Sequence, residues 1–158
     1  MADKTEKTRG IRYLEEQGVA FTVVSYLYKE RGAGRAAAAV GWEEERTIKS
    51  LVVEASPRGF FFALVPAHRE LSTKKLARLL GVKNVELASP HDAQQLTGYV
   101  PGGISPFGAY TRLPALMELS LLEHEQVLIN GGHRGVLLAL SPWTIQELLQ
   151  AEVEEIIA

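Results

Sequence analysis

The sequence predicts a mixed α+β fold, one mixed β-sheet core flanked by helices. Helix and strand signals interleave irregularly instead of repeating as βαβ units, and Ser56-Pro57-Arg58-Gly59 separates two β-rich runs as a hairpin turn would. Size is the third observation: 158 residues, 46% of them hydrophobic, match one domain at roughly 100 to 200 residues per domain. No repeat, linker or low-complexity segment divides the chain, so a single domain over 1–158 is expected.

The elements follow in order. A short helix is expected over 8–16, where Ile11 and Leu14 stand three apart among charges and Gly18 follows as its stop. The run 19–26, V-A-F-T-V-V-S-Y, has the β-branched and aromatic residues of a strand. An Ala-rich helix over 35–40, closed by Gly41, suits close packing against a neighbour. Strands over 47–54 and 60–65 form the two arms of the hairpin. Ser72 caps the next helix, whose Leu76, Leu79 and Leu80 make an apolar stripe before Gly81. A strand over 82–87 precedes Ser89-Pro90-His91-Asp92, a cap with proline at the first helical position, and that helix runs to about Leu96. Glycines and prolines make 99–108 a loop. Strands over 116–119, 126–129 and 136–140 lead to a last helix opened by Ser141-Pro142, with Ile145, Leu148 and Leu149 on its apolar face.

Composition excludes several classes of function. Seventeen Lys+Arg against nineteen Asp+Glu leave a net charge of −2, so the whole-molecule field does not favour nucleic acid and DNA is not an expected partner. Contact with RNA would have to come from a local patch, and the basic cluster is Arg69, Lys74, Lys75, Arg78 and Lys83. Sequence position leaves two readings of it, a solvated helix face or a phosphate-contacting surface. The absence of Cys removes disulfides, thiolate nucleophiles and Cys-based zinc sites. His68, His91, His124 and His133 show no ligand spacing, and neither a metal nor another cofactor is expected. No dinucleotide fingerprint, P-loop or G-x-S-x-G elbow occurs. No stretch approaches the roughly 18 apolar residues of a spanning helix, and the polar start over 1–7 lacks a signal-peptide core. A cytoplasmic protein with no membrane partner is the expectation.

Three places could carry chemistry. Lys49 stands mid-strand in T-I-K-S-L-V-V-E, on the same face as Leu51 and Val53 by strand alternation. An ammonium there either reaches solvent from a strand edge or lines a cleft. The loop Gly102-Gly103-Ile104-Ser105-Pro106 is either an ordinary turn or a cradle whose backbone N–H groups, with Ser105 as a further donor, meet an anion or a developing oxyanion. The run 130–135, N-G-G-H-R-G, reads equally as hairpin turn chemistry.

Taken together, T-G-Y-V-P-G-G-I-S-P-F-G at 97–108 with R-L-P at 112–114, I-K-S-L-V-V at 48–53, and N-G-G-H-R-G at 130–135 resemble a known family. It is the YbaK/ProX-type aminoacyl-tRNA deacylases, relatives of the editing insertion domain of prolyl-tRNA synthetases, and the resemblance runs from about Arg9 to Val153. It implies a partly closed mixed sheet wrapped by helices, in a free-standing trans-editing enzyme. Such an enzyme hydrolyses the ester of mischarged tRNA, above all tRNA for proline carrying cysteine or alanine, with prolyl-tRNA synthetase as a partner. The family's functional lysine corresponds to Lys49 and its G-x-x-x-P loop to 102–106, whose backbone, with Gly102 and Gly103 foremost, holds the aminoacyl end. The tyrosine ending the first strand corresponds to Tyr26, and the second glycine loop to Asn130, Gly131 and Gly132. Arg69, Lys74, Lys75 and Arg78 would then contact the tRNA backbone.

One departure bears on specificity. Members acting on cysteinyl substrates carry an aspartate where this chain has Leu137, and a serine common at the start of the second loop is Asn130 here. The missing carboxylate motivates an alternative function, a catalytically weak tRNA-binding or synthetase-associated accessory module of the same fold.

Overall fold

The centre of the molecule is the predicted hairpin, β2 (Ile48–Ala55) and β3 (Gly59–Pro66), paired antiparallel along its whole length from Ile48↔Pro66 to Ala55↔Gly59. The computed structural model describes residues 7–29 and 32–158, so the polar start read over 1–6 lies outside the described residues. Alternation along β3 builds two cores at once: Phe62 and Leu64 enter one, Phe61, Ala63 and Val65 the other. The hairpin is extended by β4 (Glu86–Leu87), β5 (Ala115–Glu118) and β8 (Glu152–Glu154) into a five-stranded sheet ordered β4-β2-β3-β5-β8. Its β3–β5 and β5–β8 pairs are parallel, so the sheet is mixed, as predicted. A second, antiparallel sheet takes the order β1-β7-β6 from β1 (Thr22–Ser25), β6 (Val127–His133) and β7 (Val136–Leu140).

The mixed α+β class holds, but the expected partial closure does not: there are two sheets rather than one, and neither is closed. They meet at a single parallel bridge, Thr47–Leu128, and otherwise through side chains of the larger core, including Phe62, Leu64, Ile129 and Leu138. That core is buried between the sheets, whereas α3 (Thr73–Leu80) lays Leu76 and Leu80 on Phe61 and Val65 at the outer face of the five-stranded sheet. On the outer face of the smaller sheet, α2 (Ala33–Val40) packs Ala36 against Leu128, Leu137 and Ala139, the close approach its small residues allow.

The cap signals correspond to real ends. Thr8 accepts the Ile11 N–H at the start of α1 (Arg9–Gln17), and Ser72, Ser89 and Ser141 do the same for α3, α4 (Pro90–Thr97) and α5 (Pro142–Leu149). Four strands differ from expectation, and one of them, β6, runs on past 129 through residues read as a turn to His133. The first shrinks to Thr22–Ser25, and 82–87 keeps only Glu86–Leu87, because β4 finds a partner only at Val53 and Glu54. The unpredicted β8 forms because Leu116, Met117 and Glu118 of β5 offer it a parallel edge. Among the described residues, no helix is long and apolar enough to cross a membrane.

Candidate active site

Because β4 covers β2 only at Val53 and Glu54, residues 48–51 form a free edge on that side. They face α2, β6 and the 101–106 loop across a cavity of about 320 Å3. Its walls bring together Tyr26, Lys49, Gly102, Ile104 and Asn130 from the sequence-predicted set, with Ser50 and Leu137 beside them. Lys49 is both things its spacing allowed, a lysine on a strand edge and a lysine lining a cleft. Its side chain is 20% exposed, and its Nζ stands 3.7 Å from the carboxylate of Glu70, itself 88% exposed. A pair so open to water is weakly held. The ammonium is therefore not tied down by that contact.

Asn130 joins the two glycine segments. Its Nδ2 donates to Gly102 O at 3.2 Å, while its Oδ1 accepts the N–H groups of Gly132 (2.6 Å) and His133 (3.3 Å). Those contacts fix the bulge between Asn130 and His133, where β6 bends beside the cavity. In the loop, the Gly103 N–H is taken by Val100 O at 2.9 Å. The N–H groups of Gly102 and Ile104, both on the cavity wall, have no acceptor among the described residues. Of the amides the sequence offered for a cradle, those of Gly102 and Ile104 are therefore unspent and that of Gly103 is not.

The remaining glycine-loop residues lie behind the wall. A Cβ at Gly103 would stand 2.9 Å from Arg134 N, and one at Gly132 would stand 2.7 Å from the Tyr99 ring, so both positions serve close packing. Gly131 O accepts the Thr8 hydroxyl from α1. Ser105, expected as a donor to a ligand, is fully buried, and its Oγ accepts the Phe107 N–H at 3.1 Å; Pro106 is buried beside it. These residues shape the loop rather than line the cavity.

Tyr26 is half-buried, and burial raises its phenol above the ordinary value of 10.0, with Tyr28 adding to the rise. At physiological pH it is a neutral hydroxyl on the wall. Ala33 and Ala36 of α2, with Leu128, Ile129 and Leu137, supply the apolar part. Among the described residues, no carboxylate, imidazole or thiol lines this cavity, and no group of three or more His, Asp or Glu could hold a metal ion. One cation, two unspent amides, a phenol and a carboxamide can bind and polarise a carbonyl. They offer no ordinary general base.

Sequence reasoning missed two residues here. Ser50 interrupts the inward-facing series Ile48, Ser50, Val52, and a hydroxyl on an otherwise apolar strand face was the available signal. Arg9 had none: its guanidinium lies between the rings of Tyr99 (4.5 Å) and Tyr110 (4.2 Å), and it donates to Gly108 O (3.0 Å) and Thr97 O (2.8 Å). It thereby ties α1 to the loop. The basic cluster is divided. Arg69 donates to Ala158 O and Lys75 to Ile157 O, anchoring the chain's last residues, while Lys74 and Arg78 are exposed on α3.

The family model for the aminoacyl-tRNA editing domain matches residues 30–148, a span that holds every residue lining this cavity except Tyr26. The chain belongs to that family. It is 30% identical over 153 residues, 96% of its length and 93% of the relative's, to an Enterococcus faecalis protein provisionally named Cys-tRNA(Pro)/Cys-tRNA(Cys) deacylase EbsC. The multifunctional Ser/Thr-tRNA deacylase ProXp-y of Escherichia coli K12 is 28% identical over 129 residues, 78% of this chain and 76% of that one. A crystal structure provisionally described as a trans-editing enzyme for prolyl-tRNA synthetase superposes with a TM-score of 0.88 at 31% identity, covering 99% of each chain.

Proposed function

We propose that this protein is a free-standing deacylase that hydrolyses the ester of mischarged tRNA, with tRNA for proline carrying cysteine or alanine as its substrate. In this reading the chain acts as one domain and corrects errors of prolyl-tRNA synthetase. The observation that carries it is Lys49, which lines one cavity together with Gly102 and Ile104, whose amides are unspent, in a member of the editing family.

Water, or a group on the substrate itself, attacks the ester carbonyl, since the walls offer no ordinary base. Lys49 and the two loop amides stabilise the oxygen on which charge develops, in a site partly withdrawn from solvent. Tyr26 and Asn130 orient the aminoacyl group. Leu137, beside Ala36 and Leu128, gives the wall an uncharged character that suits a methyl or thiol side chain better than a charged one. Lys74 and Arg78 contact tRNA phosphates, which position the substrate without reading its sequence.

The test is deacylation of tRNA for proline charged separately with alanine, cysteine and proline. Hydrolysis of a mischarged form with prolyl-tRNA spared supports the reading. Binding without turnover of any of the three overturns it in favour of an accessory module.

A further inference from the structure

A second cavity, of about 190 Å3, adjoins the first and shares Ser50, Leu51, Gly102 and Ile104 with it. It lies between the β2–β4 edge and the start of α4, and its remaining walls are aliphatic: Val52, Leu87, Ala88, Pro90, Ala93 and Pro101. No ionisable side chain lines it among the described residues. Leu87 stands 58% exposed at its mouth.

We propose that this slot receives the adenine base of the substrate's terminal nucleotide, while the aminoacyl group occupies the larger cavity. The inference rests on the deacylase reading above. An aminoacyl-tRNA end is two groups joined by an ester, and two cavities that share Ser50, Leu51, Gly102 and Ile104 match that shape. The assignment of ends follows from chemistry and openness. The aminoacyl group is a free end, and its α-amine needs an oxygen acceptor; the larger cavity offers the Tyr26 hydroxyl and is backed by the buried Ala36, Leu128 and Ile129. The nucleotide is tethered to the rest of the tRNA and must lie where the wall opens to solvent, as it does at Leu87 and Pro90. A flat base with two apolar faces fits between aliphatic walls that make no demand for hydrogen bonds. Ser50 lines both cavities, where the ester would cross. Its hydroxyl is buried with no partner among the described residues, and one side-chain torsion turns it to the ribose or the ester.

Adenosine 5′-monophosphate, titrated at millimolar concentration against the full chain, is the direct probe. Amide shifts should cluster at Leu51, Val52, Leu87, Ala88 and Ala93, and Leu87→Ala, a change at an exposed position outside the core, should weaken binding several-fold. Shifts centred on Ala36, Leu128 and Leu137, or none, overturn the proposal. In deacylation assays Leu87→Ala should raise KM by one common factor for every amino acid and leave kcat near the parent's. A changed ranking of amino acids would put the side chain in the slot and overturn the assignment. Should the parent hydrolyse no aminoacyl-tRNA, the deacylase reading falls while the nucleotide titration still decides the slot.

Discussion

Around α3 the five-stranded sheet is held by aliphatic side chains: Leu76 and Leu80 meet Phe61, Val65 and Ile156, all buried. Around α1 and the 97–108 loop the neighbouring elements approach so closely that backbone touches backbone, and single polar groups fasten them. A Cβ at Gly10 would stand 2.5 Å from Gly131 O, Arg9 bonds two loop carbonyls, and Asn130 spans β6 and Gly102. The first region is a scaffold that defines where β2 runs. The second fixes the position of each backbone amide near Lys49. A core built from interchangeable apolar volume tolerates repacking. A site built from backbone positions cannot absorb an added atom.

Four substitutions and one condition would break or sharpen that contrast. Leu76→Ala, which empties part of the scaffold, should cost about 2–5 kcal/mol in denaturant unfolding yet leave deacylation per folded molecule unchanged. Gly10→Ala should cost about 1–3 kcal/mol by overpacking, and here activity should fall further than the folded fraction, because β6 and the loop must shift. Equal losses of specific activity in these two variants would erase the distinction. Ser72→Ala removes the hydroxyl that accepts the Lys75 N–H and should cost about 1 kcal/mol, with no kinetic effect. The smallest effect is one of pH. Burial raises the Tyr26 and Tyr99 phenols above 10.0, so the unfolded chain loses those protons first, and stability should decline as pH climbs through 10. Tyr99→Phe should flatten that decline while lowering stability at neutral pH, since its hydroxyl bonds Phe107 O.

What could be read from the sequence divides along the same line. Caps and stops are local chemistry, so Ser72, Ser89-Pro90, Ser141-Pro142 and Gly18 marked real helix ends. The hairpin was legible from the turn chemistry of 56–59 between two β-rich runs. The strand E-V-E of β8 was not, because three residues have no period and its support comes from β5 and from Glu118, whose carboxylate accepts the Ile156 N–H. The split into two sheets likewise depends on pairings that no local pattern encodes. At the site, spacing left Lys49 between two readings, and the family resemblance weighted it toward the cleft. The glycines of 102–103 and 131–132 looked alike in sequence, and only the folded chain separates Gly102, on the cavity wall, from Gly103 and Gly132, which admit Arg134 and Tyr99. The Asn130–Gly102 contact joins residues 28 apart and had no sequence signal.

The central claim is that Lys49 and the loop amides, rather than a nucleophile or base, drive ester hydrolysis. Steady-state deacylation of alanyl- and cysteinyl-tRNA for proline by the parent and by Lys49→Ala, with thermal unfolding of both, tests it most directly. The account predicts a loss of at least about 100-fold in kcat/KM, about 2.7 kcal/mol, with unfolding unchanged because the Glu70 contact is solvent-screened. A Lys49→Ala protein that hydrolyses either substrate as fast as the parent would contradict it.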